Sequence, residues 1–123
     1  LFAWLHYDPI PTEDGLAKAL IAYFTGHLGI STTMRAHEGI GTSQAHLTVS
    51  TAPMTVTVSF HEPVRWDGWL LYTHESTQVG AGMSYVRGAV HTEEGELIAS
   101  FAQDALIRPL RTTDTSIKEQ SRL

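Results

Sequence analysis

A primary amide stands in an apolar row near the carboxyl end of the chain. Counting alternate residues along one extended segment puts Leu97, Ala99, Phe101, Gln103, Ala105 and Ile107 on the same face. An amide buried without a partner costs about 1 to 3 kcal/mol. Gln103 is therefore expected either to have a polar partner close by, as a structural hydrogen-bonder, or to be aimed into a site where it orients water or a substrate.

Histidine is the other residue type here able to move a proton at neutral pH, its reference pKa being about 6.5. His6, His27, His37, His46, His61, His74 and His91 show no close pair at ligand spacing, and the chain has no cysteine. Neither a metal site nor a disulfide is expected. His27 differs from the others because it falls on an apolar stripe of helical period, Leu16, Ala19, Leu20, Tyr23, Phe24 and His27. It reads either as a base or as a hydrogen-bonded core residue. His37-Glu38, in a loop, is a second candidate pair. Val79-Gly-Ala-Gly82 lacks the strand-to-helix context and third glycine of a dinucleotide fingerprint, and reads as a bulge or turn.

The elements that must position these residues follow in order. Leu1 to Tyr7 suggests a strand, broken by Asp8-Pro-Ile-Pro11. Thr12 is placed to cap a helix, with Glu13 and Asp14 favouring the positive end of its dipole, and Gly26 and Gly29 mark its expected end. Residues 30–45, rich in Gly, Ser and Thr, are expected to be mostly loop. Leu47 to Phe60 is extended, but its apolar phase changes from Leu47 and Val49 to Met54, Val56, Val58 and Phe60, which predicts a bulge, a bend or a strand starting after Pro53. Asp67-Gly68 turns the chain into a strand from Trp69, and Glu93-Glu94-Gly95 joins the last two strands as a hairpin. Residues 1–110 form one expected domain, and 111–123 a polar tail.

With 123 residues, 42% apolar and 17% charged, the chain can bury one core. A formal charge of −5 with eight scattered Lys and Arg argues against nucleic acid or an anionic membrane as partner. No apolar run approaches the ~20 residues of a membrane-spanning helix, and no signal peptide opens the chain. The cytoplasm is the expected compartment; Ser121-Arg-Leu123 also resembles a peroxisomal address. Because the first residue is leucine, either a processed leader or a longer parent polypeptide is expected.

One strand, a long helix and four later antiparallel strands make an α+β domain. Phe60-His-Glu-Pro63, Trp69-Leu-Leu-Tyr72, Glu75-Ser-Thr77, Tyr85-Val-Arg-Gly88, Ala99-Ser-Phe-Ala-Gln103 and Ile107-Arg108 resemble, in order and without gaps, the carboxy-terminal half of type II acyl-CoA thioesterases, the double-hotdog enzymes. The resemblance spans about Leu1 to Arg108. It implies a hotdog fold, an antiparallel sheet wrapped around a central helix, paired with a second hotdog domain. It also implies acyl-CoA as substrate and no cofactor.

The same resemblance implies a water held between an aspartate near the end of the central helix, a Ser or Thr on the next strand and a glutamine on the last. Gln103 matches the glutamine. Gly26 stands where the family has the aspartate, and Pro53 where it has the hydroxyl, with Thr51 or Thr55 able to substitute. Thioester hydrolysis needs a base within reach of water and donors for the oxyanion, and beside the lost aspartate His27 is the best base by residue type. Gly80 and Gly82 would permit close approach of an acyl chain or pantetheine, and Arg87 and Arg108 could meet CoA phosphates. Two functions are thus expected: an acyl-CoA thioester hydrolase, or a catalytically impaired hotdog half that binds acyl-CoA or mediates dimerisation.

Overall fold

The computed structural model describes residues 1–35 and 49–110. Strand β1 (Phe2–Leu5) leads to helix α1 (Asp14–Arg35) and then to β2 (Val49–Phe60), β3 (Leu70–Gly80), β4 (Met83–Thr92) and β5 (Leu97–Pro109). The strands form one antiparallel sheet in the order β1-β3-β4-β5-β2. One helix lies along its inner face, which is the α+β hotdog arrangement. His37-Glu38 and the tail from residue 111 fall outside the described residues.

The helix departs from expectation at both ends. It starts at Asp14 rather than just after Thr12, and the Ala17 amide donates to the Glu13 carbonyl to close its first turn. Asp14 pairs with Lys18 at 2.6 Å and accepts the Val64 amide at 2.7 Å, tying the β2–β3 connection to the helix start. At the other end the helix runs through Gly26 and Gly29 to Arg35, so residues 30–35 are helix and not loop. A mid-helix glycine is about 1 kcal/mol less favourable than alanine. Here packing outweighs that term: a methyl group on Gly29 would stand 2.3 Å from Gln103 Oε1. Gly29 allows this close approach, and neither glycine terminates the helix.

The buried face of the helix also differs from the expected stripe. Ala17, Ile21, Thr25, Gly26, Gly29, Thr32, Thr33 and Met34 face the sheet. Leu16, Tyr23 and His27 are exposed, and Leu20 and Phe24 only partly buried. Small residues let the helix lie close to the sheet; the bulkier apolar residues that dominate the sequence pattern are left outside.

The main core joins Ala17 and Ile21 to Val64, Trp66, Leu70, Tyr72, Val90, Ile98, Ala99 and Phe101. Each such aliphatic or aromatic burial stabilises by roughly 1.5 to 3 kcal/mol relative to exposure. Register shifts between Pro53 and Thr55, Ser76 and Gln78, and Val90 and His91 bend the sheet round the helix. The first is the expected phase change, and it leaves Met54 on the surface at 59% exposure. The last turns Leu97 out of its expected row, to 40% exposure. Ala81 and Gly82, both at positive φ (54° and 76°), form the two-residue turn between β3 and β4. Gly95, at φ 87°, sits in the expected β4–β5 hairpin.

Candidate active site

Phe101, Gln103, Ala105 and Ile107 all face inward from β5, as the alternation predicts. Gln103 is 1% exposed and is flanked in register by Val86 of β4 and Val56 of β2. Among the described residues neither Oε1 nor Nε2 has a hydrogen-bond partner, and the helix presents the bare backbone of Gly29 to the amide. An amide held this way carries the desolvation cost of an unmade hydrogen bond, a cost that a hydrogen bond to a ligand would offset.

Beside it, a groove of about 780 Å³ opens between α1 and β2, lined among others by Gly26, His27, Ile30, Thr51, Pro53 and Val56. Val56 links groove and amide: it lines the first and pairs with Gln103 in the sheet. The groove therefore gathers the helix position where the resemblance implies a carboxylate, the two neighbouring β2 positions and the expected base. His27 is not in the core; it stands exposed at the groove, its ring stacked on Tyr23 at 6.3 Å and 8°. Thr51 is buried, opposite Ile107. Thr55 lies beyond the bulge on the outer face of the sheet and donates to Asp104 Oδ2 at 2.9 Å, so it points away from Gln103.

The remaining candidates stand elsewhere. Arg87 donates to Glu75 at 3.0 Å on the outer sheet face, both side chains well exposed. Gly80 and Gly82 flank the β3–β4 turn, where a side chain on Gly82 would run into Arg108, 2.8 Å from its Nε. None of these lines the groove. Among the described residues no group of three His, Cys, Asp or Glu could hold a metal ion, and no helix is long and apolar enough to cross a membrane.

One polar residue not singled out from sequence lies against the same helical turn. His74, on β3, is 4% exposed, and its Nε2 is 3.2 Å from the Thr25 carbonyl. A carbonyl only accepts, so Nε2 carries the proton and Nδ1, without a partner among the described residues, is an acceptor. Burial pushes this imidazole down to about 4, the Thr25 bond opposing only in part. The available signal was the alternation Leu70, Tyr72, His74, Ser76, which places His74 on the inner face.

Residues 3–107 match the acyl-CoA thioesterase C-terminal domain family. The chain is 31% identical to acyl-CoA thioesterase 2 of Haemophilus influenzae over 98 residues, 80% of this chain and 33% of that protein. It is 30% identical to human acyl-coenzyme A thioesterase 8 over 87 residues, 71% of this chain and 26% of that protein. Among solved structures, the acyl-CoA thioesterase II TesB2 of Mycobacterium marinum superposes with a TM-score of 0.72 at 25% identity, over 89% of this chain and 41% of that one. The chain thus spans about a third of the length of its curated relatives or less.

Proposed function

The chain belongs to the acyl-CoA thioesterase C-terminal domain family, and from that premise we propose that its helix–β2 groove hydrolyses acyl-CoA thioesters to a fatty acid and CoA. The observation that carries this reading is the Gln103 amide, buried, without a partner among the described residues and one strand in from the groove wall.

In this mechanism Gln103 orients the attacking water or the thioester carbonyl by hydrogen bonding. His27 accepts the water proton as the oxygen attacks, the tetrahedral oxyanion collapses, and the carbon–sulfur bond breaks as the His27 imidazolium returns that proton to the departing CoA thiolate. Thr51, buried in the groove, supplies the hydroxyl in preference to Thr55, which faces the other way. The groove's apolar wall from Ile30 and Val56 suits the acyl chain.

Pairing with a second hotdog is part of the proposal. The chain spans only 41% of the Mycobacterium marinum thioesterase chain. Among the described strands β2 is a sheet edge; its Met54 and Val56 are 59% and 38% exposed, and Tyr23 of α1 is 64% exposed. An open edge bordered by apolar side chains is a surface that another domain covers.

A second reading is favoured by Gly26. It puts no carboxylate into the groove, so this half could bind acyl-CoA or hold a partner without hydrolysing anything. Steady-state hydrolysis of an acyl-CoA series separates the two. Turnover that disappears in Gln103→Ala supports the enzyme, and saturable binding of acyl-CoA without turnover supports the binding module.

A further inference from the structure

Thr25 begins the helical turn that carries both Gly26, on the groove, and Gly29, against Gln103. That turn is tied down twice. The Thr25 hydroxyl donates to the Ala22 carbonyl at 2.7 Å, and the Thr25 carbonyl accepts from His74 Nε2 at 3.2 Å. His74 reaches it from β3, and its ring packs on Phe101, two residues before Gln103 on β5, with ring centroids 4.6 Å apart. The strand between them makes room: Gly88 of β4 is paired with both His74 and Phe101, and a Cβ there would stand 2.5 Å from the Phe101 ring and closer still to the Thr73 carbonyl. One imidazole thus bridges the helical turn above the amide and the strand that carries it.

A purely structural residue at this place could be apolar, as its neighbours Val86, Val90 and Phe101 are. Histidine brings a directed donor to a carbonyl already inside a helix, and leaves Nδ1 without a partner among the described residues. We propose that His74 is a positioning residue: its Nε2–H bond to the Thr25 carbonyl fixes the Thr25–Gly29 turn and so sets the place of the Gln103 amide relative to the groove. The inference rests on the thioester-hydrolysis reading. A displacement of about 1 Å in a positioned group can reduce turnover roughly a hundredfold.

The test compares His74→Leu with His74→Gln in the full chain. The glutamine amide can still donate to the Thr25 carbonyl, and the leucine cannot. His74→Leu is expected to lower kcat for acyl-CoA roughly ten- to a hundredfold with KM little changed, and His74→Gln to recover most of it at similar melting temperature. In parallel, the Gln103 side-chain and Gly29 backbone amide resonances should shift in His74→Leu and return towards their original positions in His74→Gln. Equal kinetics and equal resonances in the two variants would overturn the proposal. A parent chain without hydrolytic activity removes the thioesterase reading, while the resonance comparison still decides whether His74 positions the amide.

Discussion

Gly29 and Gln103 are in direct contact across the helix–sheet interface, close enough that a methyl group on the glycine would stand 2.3 Å from Oε1 and 3.0 Å from Nε2. Glycine at that helical position and an amide on that strand depend on each other. In isolation Gly29→Ala should gain about 1 kcal/mol of helix propensity. With Gln103 in place the gain should vanish or reverse and turnover should fall, because the amide is driven from its seat. In a Gln103→Ala background the same substitution should stabilise. Denaturant unfolding of the four proteins of this double-mutant cycle measures the coupling, and additive effects would contradict the contact.

His27 stands exposed at the groove, so its removal leaves the core intact. His27→Gln is expected to retain its melting temperature and lose roughly two or more orders of magnitude in turnover, the usual scale for a general base. Unchanged hydrolysis by a folded variant takes His27 out of the mechanism.

Gly26 is helical, and the nearest atom to a Cβ built on it is Val56 Cγ2 at 4.0 Å. A side chain therefore fits there, directed at the groove wall. Gly26→Asp should fold normally and raise acyl-CoA turnover by placing a carboxylate beside the Gln103 strand. A well-folded variant with no gain would show that this position no longer serves a base.

How much of this was legible in the sequence depends on which force set each feature. The succession of one strand, a helix and four strands, the hairpin at Gly95 and the inward row Phe101, Gln103, Ala105, Ile107 were readable because period-two alternation and turn residues report them directly. The helix face was not. Apart from Ile21 and Met34, its sheet-facing stripe is made of glycine, alanine and threonine, which hydrophobic periodicity weighs lightly, while Leu16 and Tyr23, which dominate the pattern, are more than half exposed. Gly26 and Gly29 read as a helix end because helix propensity alone disfavours them, and the contact that requires Gly29, with Gln103, exists only once the sheet has folded over it. Leu97 and Met54 left their expected rows at bulges, where a one-residue shift reverses the facing. His74 was hidden among seven histidines because its importance lies in a long-range bond to Thr25.

His74 also makes stability depend on pH. Its folded value is about 4 against 6.5 when unfolded, so between these values the unfolded chain binds a proton that the folded chain refuses. The contribution is fully present above pH 6.5 and is lost as pH falls towards 4, a difference of roughly 3 kcal/mol. Unfolding free energy measured by denaturant titration should therefore fall across this window, and His74→Leu should flatten the slope. A variant with the same acid dependence as the parent would place the effect in other groups.

The central claim is that the Gln103 amide is held for a reaction and not for the fold. Acyl-CoA hydrolysis and thermal melting measured together on the parent and on Gln103→Ala test it most directly. The amide makes no hydrogen bond among the described residues, so the account predicts a nearly unchanged melting temperature with turnover reduced roughly a hundredfold or more. Retained turnover in the variant, or a large stability loss with activity falling only in proportion, would contradict it.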